Sequence, residues 1–72
     1  MKGSAARCHA EINRFLIAAD HCNGAADREL HNVNDPEYQG QANEIAQNLR
    51  LAATLCERES ENWRARLRRV SR

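Results

Sequence analysis

The segment Asn34-Asp35-Pro36-Glu37 decides the fold, because it carries the strongest helix-start signal in the chain. An aspartate caps free backbone amides, a following proline suits the first helical position, and a glutamate complements the positive end of the helix dipole. The sequence therefore predicts a helix over residues 36 to about 70. Upstream, Ser4 is a candidate N-cap for a first helix over residues 5 to about 33, which leaves residues 34–35 as the turn.

Apolar and small residues recur every three or four positions in both predicted helices, and this spacing places them on one face of each helix. On the first helix the set is Ala5, Cys8, Ile12, Phe15, Ala19, Cys22, Ala26, Leu30 and Val33. On the second helix the set is Tyr38, Ala42, Ile45, Leu49, Ala52, Cys56, Ser60, Trp63, Leu67 and Val70. Because a short connection forces two long helices to run antiparallel, the two faces meet. We therefore expect an all-α fold, an antiparallel two-helix hairpin that forms a single domain over residues 1–72.

The pair Asn23-Gly24 is the main obstacle to a continuous first helix, because an Asn-Gly pair often ends a helix through a left-handed residue. A break at this point, giving three helices, is the alternative. We favour continuity, since Cys22, Ala26 and Leu30 stay in phase across the glycine, whose cost inside a helix is only about 1 kcal/mol.

The composition favours a thin core. The 72 residues include only three aromatic side chains, and much of the apolar content is alanine, so little apolar surface is available for burial. The three cysteines (Cys8, Cys22 and Cys56) are odd in number and lack the spacing of a secreted disulfide framework. No apolar run approaches the roughly 20 residues of a membrane span, and no signal-type apolar core follows the N-terminus. We expect a cytoplasmic protein with reduced thiols and no membrane partner.

Four large apolar residues, Leu16, Ile17, Leu51 and Leu55, lie wholly or partly outside the predicted seam. They occur at a similar height along the hairpin, although they do not all point in the same direction. Exposed apolar surface commonly marks an interface, and a two-fold homodimer that forms a four-helix bundle is the simplest way to cover it. The competing interpretation is that these residues are scattered on the surface or cover a bent first helix.

The C-terminal residues 62–72 form the most distinctive local feature, with five arginines and no acid, whereas residues 20–44 hold six acids and one arginine. The arginines are Arg64, Arg66, Arg68, Arg69 and Arg72. Together with Trp63 they could dock onto an acidic protein surface or onto nucleic-acid phosphates. The competing interpretation is that they offset the negative end of the helix dipole and keep the chain soluble. The formal net charge of +1 argues against a general affinity for nucleic acid.

Catalysis and metal binding find little support in the sequence. The pairs Cys8-His9 and His21-Cys22 combine metal-ligating side chains. However, adjacent helical residues do not share a face, and the two pairs lie roughly 20 Å apart at ~1.5 Å per residue. A Gly-rich phosphate loop and the His-Glu spacing of a metalloprotease are both missing from the sequence. We expect no enzymatic activity, no metal and no cofactor.

These observations together predict a small non-enzymatic protein that binds another macromolecule. The leading hypothesis is an adaptor or inhibitor that occludes a partner protein through the apolar middle and the arginine-rich end. Small hairpin proteins of this kind include phage and mobile-element inhibitors, a comparison that rests on size and architecture alone. The alternative is a nucleic-acid-binding regulator that uses the arginine-rich helix. A third hypothesis is a subunit or assembly chaperone of a larger complex.

Overall fold

Two long helices make up the structure, a computed structural model that describes residues 4–31 and 33–71. Helix α1 spans Ser4–His31 and helix α2 spans Pro36–Val70, and the two pack against each other. The Cα atoms fill a rod with principal extents of 55 × 13 × 11 Å. No strand occurs in the described residues. The antiparallel all-α hairpin predicted from the sequence is confirmed.

The start of α2 follows the capping chemistry of its sequence. The backbone N–H of Glu37 donates to Oδ1 of Asp35 at 3.0 Å, and that of Tyr38 donates to the Asp35 carbonyl oxygen at 3.0 Å. Asp35 has φ −104° and ψ 119°, the extended conformation that a residue before proline favours. Two of the free amides of the first turn are therefore satisfied by one residue, and the helix begins at Pro36 as predicted.

Helix α1 continues through Asn23-Gly24 without a break, so the three-helix alternative is wrong. Gly24 is helical, and a Cβ atom built on it would lie 3.4 Å from the Nη1 atom of Arg28, the one close neighbour among the described residues. The helix ends at His31, whereas its apolar spacing extends to Val33. Val33 instead lies in the connection, where it is half-buried, because the chain needs non-helical residues in order to reverse direction.

The core is a seam of mostly small side chains. Its buried members are Cys8, Ile12, Ala19 and Ala26 of α1 and Ala42, Ala46, Ala53 and Ser60 of α2. Within the described part of the chain, Ile12 is the only large apolar side chain in this buried set. The buried Ser60 hydroxyl donates to the carbonyl oxygen of Glu57 at 2.8 Å, so its polar atom is satisfied. Small seam residues allow two helix backbones to approach closely, and they also keep the buried apolar surface small.

The alignment of the two helices is visible in contacts between them. Nη2 of Arg50 donates to Oδ1 of Asp27 at 2.8 Å, and the guanidinium of Arg7 lies 5.6 Å from the centre of the Trp63 ring. Counting along both helices from these contacts puts the buried residues approximately level in pairs. The pairs are Ile12 with Ser60, Ala19 with Ala53, and Ala26 with Ala46. In each helix the paired residues recur every seven positions, which is the period of helices that pack side by side over a long distance.

The predicted seam of α2 was wrong at four positions, since Tyr38 and Val70 at its two ends are exposed and two inner positions are displaced by one residue. Ile45 and Ala52 were assigned to the seam, but Ala46 and Ala53 are buried in their place. Ile45 is 38% exposed, and Ala52 is only half-buried. At residues 45 and 46 the assignment followed the larger side chain, whereas close helix contact requires the smaller one on the line between the two axes. At residues 52 and 53 both choices are alanine, so side-chain size does not decide between them.

Candidate partner-binding surfaces

The middle of the hairpin exposes three of the four apolar residues that the sequence placed outside the seam. Ile17 is 57% exposed, Leu51 is 59% exposed and Leu55 is 52% exposed. Leu16 is half-buried. The chain therefore leaves large apolar side chains in water while it buries alanines in its own seam.

These residues lie on different sides of the rod. Ile17 and the buried Ala19 are two positions apart in α1, and Leu51 and the buried Ala53 are two positions apart in α2. Two helical positions correspond to a rotation of about 200°, so each exposed residue points away from the opposite helix. Ile17 and Leu51 thus face outward from opposite helices, and no single flat partner covers both.

Helix α2 carries exposed apolar side chains on its outer side, a set that we call the outer strip and define as Ile45, Leu51 and Leu55. At the seven-residue period of the seam, these three side chains fall within about a third of the circumference of the helix. Tyr38, 54% exposed, lies nearer the turn on the same flank. Sequence reasoning missed Ile45 and Tyr38 as surface residues, because their spacing also fits the seam.

The second candidate surface is the open end of the hairpin, where α1 begins and α2 ends. Trp63 is half-buried there, and its ring is approached by two arginines. The guanidinium carbon of Arg66 lies 4.5 Å from the ring centre, and that of Arg7 lies 5.6 Å away. Such contacts hold the cations in place beside an aromatic face. We call this surface the arginine end.

The remaining predicted arginines lie around the same end of α2. Arg64, Arg68 and Arg69 are exposed. At 100° per residue they and Arg66 spread over about 200° of the circumference, so the side of α2 that faces away from the seam is basic at this end. Arg72 lies outside the described residues.

Helix α1 adds cations that the sequence reasoning did not assign to this surface. Arg7 and Arg14 both approach Glu11, at 3.6 Å and 2.7 Å, and Arg14 also lies 4.6 Å from the centre of the Phe15 ring. The antiparallel fold supplies the signal that was missed, because it brings the first turns of α1 alongside the last turns of α2. The arginine end therefore includes residues from both helices.

Charge is unevenly distributed along the rod. Residues 20–50, which surround the turn, contain six acids and two arginines. Residues 4–19 and 51–71, which form the half with the open end, contain seven arginines and four acids. The hairpin is thus an electrical dipole with an acidic turn end and a basic open end, although its net charge is close to zero.

Several other features bear on function. The three cysteines are free, and Cys8 is buried while Cys22 and Cys56 are half-buried. Among residues 4–31 and 33–71, no three His, Cys, Asp or Glu side chains are grouped so as to hold a metal ion. Neither α1 nor α2 has a stretch that is long and apolar enough to cross a membrane.

Comparison with protein families, with curated proteins and with solved structures finds no significant match for the chain.

Proposed function

We propose that the chain is a non-enzymatic adaptor or inhibitor that acts by binding a partner protein and occluding part of its surface. The observation that carries this proposal is the exposure of Ile17, Leu51 and Leu55 at mid-height of the hairpin. Full burial of a leucine or isoleucine side chain stabilises a complex by about 1.5–3 kcal/mol. Side chains of this size on the surface, combined with a seam of alanines, are typical of a protein completed by an interface.

The arginine end supports the same function with charge. Tryptophan, tyrosine and arginine are the residue types most enriched among those that dominate binding energy in protein interfaces, and this end presents Trp63 together with several arginines. Arg66 and Arg7 are already held against the Trp63 ring, so less conformational entropy is lost when they contact a partner. A partner with an acidic surface would contact this end, while an apolar part of the same partner would cover side chains at mid-height.

Nucleic-acid binding is the second candidate function, and the same arginine end favours it. Arginines distributed around one helix end contact phosphates readily, and an aromatic ring offers a stacking surface for a base. Against this candidate stand the acidic turn end and the half-buried position of Trp63. A strong dependence of binding on salt concentration distinguishes the two functions.

The test is affinity purification from native cells with the tagged full-length chain and with two variants of it. Mass spectrometry identifies bound protein, and nuclease-sensitive staining identifies bound nucleic acid. One variant changes Arg64, Arg66, Arg68 and Arg69 to glutamine, and the other is Ile17→Asp. We expect the unaltered chain to recover a protein that stays bound when the salt concentration is raised roughly fourfold. At least one of the two variants should fail to recover that protein. Recovery of nucleic acid that is lost both with salt and in the arginine variant would contradict the proposal and favour the second candidate.

A further inference from the structure

The outer strip of α2 lies at the middle of the rod, and its position suggests what covers it. Leu51 and Leu55 are one helical turn apart, near the centre of the 35-residue helix α2. A surface at the centre of a rod can be repeated on a second copy about a two-fold axis, which keeps the two rods in contact over most of their length.

The charged residues beside the strip have the matching symmetry. Glu44 and Arg58 lie seven positions before and after Leu51, which places them on the same face of α2 and each about 10 Å from it at ~1.5 Å per residue. Both side chains are exposed, and neither takes part in the ion pairs found among the described residues, which involve Glu11 and Asp27. An antiparallel copy of α2 that crosses at Leu51 would place its Arg58 opposite Glu44 of the first copy, and the same pair would recur on the other side of the axis.

The whole rod favours the same orientation. In an antiparallel pair of hairpins the acidic turn end of each copy lies beside the basic open end of the other. In a parallel pair the two acidic ends would lie together, as would the two basic ends. Like charges placed opposite each other oppose association, whereas complementary charges steer it and fix the register.

We propose that two copies of the chain associate side by side and antiparallel through the outer strip of α2, with Leu51 and Leu55 of both copies at the centre and Glu44 paired with the partner copy's Arg58. Ile45 and Ala52, which are seven positions apart, border this contact on one side. The dimer would cover Leu51 and Leu55, so the partner protein of the proposed function would then contact Ile17 and the arginine end. The inference concerns the purified chain alone, so it can fail without affecting the proposed partner, and the reverse also holds.

Sedimentation equilibrium of the purified full-length chain, from roughly 1 µM to roughly 200 µM, measures the association, because the fraction of dimer depends on concentration. We expect Leu51→Asp and Leu55→Asp each to weaken dimerisation by at least about 100-fold, because each places a charge in the apolar centre of the contact. Ile17→Asp is the matched control, since Ile17 is equally exposed on the outer face of α1. It should change the dimerisation constant by no more than about threefold. Circular dichroism checks that each variant keeps its helices.

A charge exchange tests the antiparallel orientation. Glu44→Arg replaces two symmetric attractions with repulsions and should weaken the dimer about tenfold or more. Combining it with Arg58→Glu should restore the association to within about threefold of the original, because the pairs reappear with reversed sign.

Three results would overturn the proposal. The first is a chain that stays monomeric up to the highest concentration. The second is an Ile17→Asp variant that dissociates as readily as Leu51→Asp. The third is a double variant, Glu44→Arg with Arg58→Glu, that dimerises as weakly as Glu44→Arg alone. That result would indicate a parallel dimer, in which Glu44 does not face Arg58. All the substituted side chains are exposed, so these variants are expected to fold.

Discussion

Replacing Gly24 with alanine should stabilise the hairpin, even though an Asn-Gly pair commonly ends a helix. Gly24 lies inside α1 with helical backbone geometry, where alanine is favoured over glycine by about 1 kcal/mol. In the part of the chain that the structure describes, the neighbour of the added methyl group is the tip of the flexible, exposed Arg28 side chain, at 3.4 Å, so little of this gain is lost to crowding. For a domain of this length, about 1 kcal/mol corresponds to a rise of about 4–8 °C in the unfolding temperature.

Thermal and urea unfolding followed by circular dichroism measure this change, with all proteins at one concentration so that association does not alter the comparison. Gly40→Ala is the matched control, because a Cβ at Gly40 has no atom of residues 4–31 or 33–71 within 4 Å, and α2 is helical there in either interpretation of the sequence. Both variants should be stabilised by similar amounts. If Gly24→Ala lowers the unfolding temperature while Gly40→Ala raises it, α1 is broken at Asn23-Gly24 and the reasoning is refuted.

Three further predictions concern the seam and its edge, and each is measured by urea unfolding. Ala53→Leu should destabilise the hairpin by about 1–3 kcal/mol or more, because the larger side chain forces the helices apart, whereas Ala10→Leu on the exposed face of α1 should change stability by less than about 0.5 kcal/mol. Ser60→Ala should change stability by less than about 1 kcal/mol, because the hydroxyl donates to the Glu57 carbonyl oxygen of its own helix and alanine is the better helix former. A larger loss of stability would show that the hydroxyl has another partner. Asp27→Asn should cost no more than about 1 kcal/mol, because its ion pair with Arg50 is more than half exposed on both sides, and a larger cost would mean that this pair fixes the alignment of the helices.

The sequence predicts the turn and the helices well because the signals there are local. Asp35 and Pro36 have chemistry that depends only on their immediate neighbours, and the structure shows that chemistry unchanged. The phase of the seam is different, because it depends on how closely two helices approach. Both Ile45 and Ala46 fit an apolar stripe, and only the distance to α1 decides between them. That distance is set by alanines on both helices together. The periodicity of one helix alone carries no information about it.

The candidate surfaces show the same division. Leu51 and Leu55 were identified outside the seam because their positions break its spacing, and both are exposed in the structure. Arg7 was not assigned to the arginine end, because its relevance depends on being adjacent to Trp63 across the hairpin rather than on any motif around it. A residue whose role comes from the opposite helix can be found only after the register between the helices is known.

The alanine seam and the exposed leucines have a common physical origin. Two helices in contact along one line can bury only the side chains next to that line, and close approach restricts those to small residues. Large apolar side chains are then left for other faces, where a third and a fourth helix would be needed to cover them. The charge distribution adds a direction to that requirement, since acids at one end of α2 and arginines at the other favour a neighbour that runs the opposite way. A hairpin with large seam residues would bury more apolar surface by itself, whereas this one leaves Ile17, Leu51 and Leu55 where a neighbour can reach them.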